Sequence, residues 1–321
     1  MTIEKPELTT KPINQMNIYG YEYYFDLLCN LYQNNKLPHS ILLSGSKGLG
    51  KATFAYHFIN FLLSKDEIYK YDRKNFIINP INSSYKMTVN GTHSNLFILD
   101  ALDDENIKIE QIRKLLLFLN KTTYNKGFKF VLIDNADKLN LNASNALLKA
   151  IEEPNKNTYF LIINNDPQKI LNTIKSRCID FKIDFSFLEK KVIFNKIIKD
   201  YELNFTETDL NNFLYFDTHG NLLKYLNVLK DSNLSISEDR LECINYIMEI
   251  YNTNHDNKML TFLGIFIQNY YNQLALKNKY FINSYYINLN KILCSIDNMK
   301  RFHLDKRNLI FSIDKIIKNE R

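Results

Sequence analysis

The chain has 321 residues, 45% of them aliphatic or aromatic, enough for two or three domains that each bury a core. A net charge of +6, with Lys and Arg interspersed among acidic residues, permits contact with nucleic acid without demanding it. Four scattered cysteines, Cys29, Cys178, Cys243 and Cys294, form no CxxC pair, which argues against a zinc site built from close ligand pairs and fits a reduced, cytoplasmic protein.

The opening MTIEKPELTTKP has acidic residues and prolines where a secretory signal would place a basic end and an apolar run, so no export is expected. A short apolar run, Ile41 to Leu43, reads as a buried strand. It leads into SGSKGLGKAT, in which Gly45, Ser46, Lys47, Gly48, Leu49, Gly50 and Lys51 match a phosphate-binding loop. Backbone N–H groups and the dipole of the following helix would then face an anion, with Lys51 reaching the outer phosphates. Ala52 stands where a Ser or Thr normally binds magnesium, so the cradle is kept and one metal ligand is lost. Thr53 is no substitute, being about 100° further round the helix. The bland alternative is a glycine turn with an incidental lysine.

The helix after the loop shows Ala55, Phe58, Ile59 and Leu62 at helical spacing. Residues 65 to 95 are polar and weakly patterned, and an irregular insertion is expected there. Leu96 to Leu99 gives a second strand. A second helix, over residues 107 to 119, carries Ile109, Ile112, Leu116 and Leu119 after the acidic start Asp103, Asp104, Glu105. Phe130 to Ile133 is a third strand and ends in Asp134, a position that holds magnesium in P-loop enzymes. Where many such ATPases carry a Glu next, this chain has Asn135, and an amide cannot act as general base at neutral pH. Asp134 can also be read as an ordinary turn residue. Tyr159 to Ile163 makes a fourth strand, with Asn165 in the turn sequence NNDP, and Ile179 to Ile183 is a candidate fifth. Strands alternating with helices imply an α/β fold with a five-stranded parallel sheet covered on both faces.

After about residue 185 amphipathic helices take over. A small bundle is expected to end near Asn233, followed by the polar linker KDSNLSISEDR and a second helical region rich in Tyr, Phe, Ile and Asn. Met259 to Ile267 is too short to cross a membrane and reads as a buried helix segment.

The runs NASNALLKAIEEP and YFLIINNDPQKILNTIKSRC resemble the clamp-loader subunits of bacterial DNA polymerase III, which are AAA+ proteins related to the eukaryotic replication factor C subunits. The resemblance is strongest over residues 37 to 183 and looser beyond. It implies an AAA+ P-loop domain over residues 1–185, a helical lid over 186–235 and an all-helical collar over 236–321. It makes Asn165 the polar sensor at the end of the fourth strand. It matches Ser176, Arg177 and Cys178 to the family's Ser-Arg-Cys motif, whose arginine serves as a finger in the ATP site of a neighbouring subunit. Such a guanidinium offsets charge on the transferred phosphoryl group and in GTPases contributes about 10³ to 10⁵ in rate. Without the family match Arg177 reads as an ordinary surface arginine, and Cys178 as a packed thiol.

Ala52, Asn135 and Leu223, the last where family ATPases usually carry a phosphate-sensing Arg, are three departures in one proposed hydrolytic site, while Arg177 is retained. That combination resembles the stator kind of subunit, delta prime, without intrinsic ATPase activity. The alternative is a working ATPase such as the gamma/tau motor. The resemblance further implies partners: gamma/tau and delta subunits in a hetero-oligomeric ring, with the sliding clamp and primed DNA reached through the complex, and no membrane. ATP binding, with or without magnesium, stays open on the sequence, and no zinc is expected because the cysteines of the family's zinc module have no counterpart.

Overall fold

The computed structural model describes residues 11–101, 106–121, 127–166, 169–201, 218–221, 223–224, 240–254, 257–302 and 306–318. These residues fall into two compact units. The first holds all five strands: β1 (Ser40–Ser44), β2 (Leu96–Leu99), β3 (Lys129–Ile133), β4 (Thr158–Asn164) and β5 (Ile179–Lys182). They pair in parallel in the order β2-β3-β4-β1-β5. Helices α1 (Glu22–Gln33), α2 (Lys51–Leu63), α3 (Ser83–Val89), α4 (Ile109–Asn120), α5 (Leu141–Glu152), α6 (Asn172–Lys175) and α7 (Phe187–Tyr201) belong to the same unit.

Alternation along the strands sorts the core into two layers. Ile41, Leu43, Phe130, Leu132, Leu161 and Ile163 share one layer with Phe25 and Leu28 of α1 and Phe54 and Phe58 of α2. Leu42, Val131, Ile133, Phe160 and Ile162 share the other with Ile112 and Leu115 of α4, Leu147 and Ile151 of α5 and Ile174 of α6. With both faces covered, the three inner strands read as unbroken apolar runs, and each buried side chain contributes roughly 1.5–3 kcal/mol. The two edge strands differ from the fully buried pattern expected of them: Phe97 and Ile98 of β2 are only half-buried, and Ile179 of β5 is exposed. The expected second helix begins at Ile109, and Leu115, outside the anticipated set, is its third buried anchor beside Ile112 and Leu119.

The polar stretch expected to be irregular is organised. Asn82 caps α3 by accepting from the Tyr85 N–H at 2.7 Å, and the Glu67 carboxylate accepts from the backbone N–H groups of Ser83 and Ser84. The buried His57 ring meets the Tyr71 hydroxyl at 3.0 Å and the Gln15 carbonyl at 3.2 Å, while Tyr71 stacks on Phe25 with ring centres 5.4 Å apart. Aromatic faces and hydrogen bonds thus tie this segment to α1 and α2.

The second unit is helical: α8 (Arg240–Asn254), α9 (Asn257–Lys277), α10 (Ile282–Phe302) and α11 (Lys306–Lys318), each packed on the next. Leu260, Leu263, Phe266 and Ile267 of the apolar segment are buried within it, together with Tyr251 and Tyr271, whereas Tyr280, Phe281 and Tyr286 are exposed. Among the described residues no helix is long and apolar enough to cross a membrane. The acidic run Asp103 to Glu105, most of the expected lid beyond Tyr201 and nearly all of the expected linker lie outside the described residues.

Candidate functional site

Neighbouring parallel strands place the candidate residues at one edge of the sheet. β1 runs into the glycine loop, β3 into Asp134 and β4 into Asn165, and these three strands lie side by side, so their carboxyl ends converge. The Gly45 N–H donates to the Asn164 carbonyl at 3.3 Å, which stitches the loop to the end of β4. Gly48 and Gly50 have φ of 88° and 91°, a region that favours glycine, and Gly50 is the N-cap of α2. The helix thus opens with its first N–H groups and positive dipole end at the loop. Ala52 and Thr53 follow in its first turn, both half-buried.

The loop's polar groups are turned largely upon the protein itself. Lys51 is buried, and its Nζ donates to the carbonyls of Gly45 at 2.8 Å and Ser46 at 2.7 Å. Burial lowers its ammonium to about 8, partly countered by the nearby Asp134 and Asp137. The Lys47 carbonyl accepts from the Thr218 hydroxyl at 3.0 Å and the Gly48 carbonyl from the Gly220 N–H at 3.0 Å. The Leu49 carbonyl meets both the Tyr21 hydroxyl, at 3.2 Å, and the His219 ring, at 3.1 Å. Contact is close enough that a Cβ on Gly220 would lie 2.4 Å from the Gly48 oxygen. Leu223, in the same short segment, packs against the apolar layer that contains Tyr21 and Phe54.

Beside the loop, a polar network links the strand ends. The Asn135 side-chain amide donates to Asp100 Oδ1 at 2.8 Å and its oxygen accepts from Asn165 Nδ2 at 3.0 Å. The Asn165 N–H donates to Asp137 at 3.1 Å, and Asp134 accepts the Asn135 N–H at 2.8 Å. Asn135 has φ of 56°, a conformation that Asn tolerates better than most side chains. Burial and the Asp100 charge raise the Asp134 carboxyl to about 6. The expected residues Asp134 and Asn165 are therefore together, joined by two that the sequence reading passed over, Asp100 and Asp137. Asp100 had a usable signal, because LFILD ends its strand as FVLID ends β3. The closing segment at Thr218 to Gly220 carried no comparable signal.

At the far end of α5 lies a second polar corner. The Nε group of Arg177 donates to Glu152 Oε1 at 2.5 Å, Nη2 lies in an ion pair with the same oxygen at 2.5 Å, and Nη1 donates to the Thr173 carbonyl at 2.8 Å. Both side chains are partly exposed. Cys178 packs against the α5 and α6 layer, where burial raises its thiol to about 12, so it behaves as packing and not as a nucleophile.

Glycines at left-handed φ, a helix N-terminus and a lysine make an anion cradle. The magnesium ligand set is incomplete, with no hydroxyl at position 52, and no cluster of three or more His, Cys, Asp or Glu side chains among the described residues could hold a metal ion. The sheet order, the loop and the strand-end carboxylate define a P-loop domain of the AAA+ class. The family model described as DNA polymerase III, delta subunit, matches residues 21–186, and the chain belongs to that family. It is 35% identical to the DNA polymerase III subunit delta' of Pseudomonas aeruginosa over 44% of this chain and 42% of that one. It is 34% identical to the corresponding delta' subunit of Bacillus subtilis, over 54% and 50% of the two chains. A DNA polymerase III subunit gamma of Buchnera aphidicola is 30% identical over 79% of this chain and 68% of that one. The chain thus matches half or less of the length of these two delta' relatives.

Proposed function

We propose that this protein is a stator of the delta prime kind, a clamp-loader subunit that does not hydrolyse ATP and lends Arg177 to an ATPase subunit beside it. The observation that carries the reading is the Asn135 bridge. At the position where a general base would prepare water, the side chain is committed to Asp100 and Asn165 and has no basic group. Ala52 offers no hydroxyl to a metal, and Leu223 is packed into the apolar layer. By contrast, Arg177 is partly exposed on the surface of the sheet unit. Residues Gly45 to Lys51 keep an anion cradle that can hold phosphate groups without breaking them.

In this reading the three parts anticipated from the sequence are an AAA+ domain, a lid and a collar. The ring partners are gamma/tau and delta subunits, and the sliding clamp and primed DNA are engaged by the assembly. A motor of the gamma/tau kind is the rival, because a gamma subunit matches 79% of this chain, about as much as the 78% matched by a delta' subunit of Buchnera aphidicola. Turnover by the isolated chain separates them. The stator reading expects ATP hydrolysis at background, whereas a motor would hydrolyse ATP and lose that activity on Lys51→Ala. In the assembled loader, Arg177→Ala should lower turnover at least about tenfold, within the range for a finger in trans. Unchanged turnover with assembly intact would remove the finger assignment.

A further inference from the structure

We propose that Glu152 is the positioning residue of Arg177, a carboxylate that fixes one edge of the guanidinium so that the rest of the fork is aimed at an anionic group, a nucleotide phosphate, on an adjacent subunit. The proposal rests on the finger reading of Arg177 given above.

Three observations carry it. First, the contact has the directionality of a clamp: Nε and Nη2 both rest on Glu152 Oε1 and Nη1 rests on the Thr173 carbonyl. A guanidinium has five N–H donors in a rigid plane, so fixing these fixes the direction of the whole fork and leaves a further N–H on Nη2 to offer. Second, the two residues are mounted on packed elements. Ile151, one residue before Glu152, and Ile174, three before Arg177, are buried in the same apolar layer. Their backbones therefore have little freedom to drift apart. Third, Glu152 is the last residue of α5, where a negative charge is opposed by the helix dipole. Local helix stability gives no reason for a carboxylate at that place, whereas the neighbouring guanidinium does.

Because the pair is on the surface, its attraction is modest and an incoming phosphate can compete for the same donors. What Glu152 supplies is orientation: it keeps a long, rotamer-rich side chain near its working direction before the neighbour arrives.

The test uses the chain assembled with gamma/tau-type motor subunits, with ATP as the probe. Arg177→Ala, Glu152→Ala and Glu152→Gln are compared for kcat and KM, with assembly followed by size-exclusion chromatography and each isolated chain's Tm recorded. Glu152→Ala should lower kcat about two- to fivefold, the scale of an exposed pair, and leave the KM for ATP and the assembly unchanged. Glu152→Gln, which keeps an acceptor oxygen, should recover most of the loss. If Arg177→Ala lowers turnover but Glu152→Ala leaves it unchanged or raises it, the positioning role is overturned and the finger survives. If Arg177→Ala itself has no effect, both readings fall. Should Glu152→Ala fail to assemble, the kcat of Glu152→Gln decides: a mild fall at unchanged KM supports the proposal, and a loss as deep as that of Arg177→Ala overturns it.

Discussion

Two cations that the proposed reading assigns to phosphate groups, Lys51 and Arg177, are held in opposite ways. Lys51 is buried, and two of the N–H donors of its ammonium rest on the carbonyls of its own loop. Arg177 is partly exposed and rests on a surface carboxylate that an incoming group can displace. The difference teaches that possession of a motif and availability of its charge are separate properties. A loop can keep its glycines and lysine while side-chain and backbone groups of Thr218 to Gly220 have already claimed its carbonyls.

Acid should loosen the sheet unit most strongly. Burial lowers His57 to about 3 and His219 to about 4, so both stay neutral in the folded chain while the unfolded chain protonates them near 6.5. Stability is therefore full above about pH 6.5 and falls as pH drops below it, by up to about 1.4 kcal/mol per pH unit for each histidine. Urea unfolding across pH 7.5 to 4.5 measures this, and His219→Asn should flatten the profile. A profile unchanged by that substitution would mean that His219 is not the acid-sensitive latch on the Leu49 carbonyl.

Crowding the same closure is the next lever. Gly220→Ala would set a methyl group 2.4 Å from the Gly48 carbonyl oxygen, and the backbone would have to move. The expected loss is about 1–3 kcal/mol by chemical denaturation, with turnover of the assembled loader spared if the pocket is a structural relic. The smallest effect is expected from restoring a single lost group. Ala52→Ser returns a hydroxyl to the start of α2, yet ATP turnover by the isolated chain should stay at background, because Asn135 still offers no base. Measurable turnover in that variant would show that the pocket lacked one ligand only, and the contrast between the two cations would dissolve.

Much of the sheet was legible because its information is local. Each inner strand is an unbroken apolar run, and α2 repeats its buried side chains at Ala55, Phe58, Ile59 and Leu62. The edge strands are less buried than their apolar runs suggest, since a short apolar run does not reveal which neighbours it will have. The segment from residue 65 to 95 was illegible for a different reason. Its order depends on distant partners such as Phe25, His57 and Asn60, and on polar groups that look like loop in isolation. The same holds for the site. Gly45 to Lys51, Asp134 and Asn165 announced themselves by position after strands, whereas Glu152 beneath Arg177 and Thr218 above Lys47 are pairings across 25 and 171 residues that no spacing encodes.

The amide at position 135 also sets the terms of any reversal. It donates to Asp100 and accepts from Asn165 at once, a double duty that an ionised carboxylate cannot perform. Asn135→Glu would set a negative charge against Asp100 and discard the bond donated to it, in a backbone conformation that suits Asn. Installing a base there thus also requires a change at Asp100, so under the proposed stator reading the bridge would make a single substitution insufficient to confer hydrolysis.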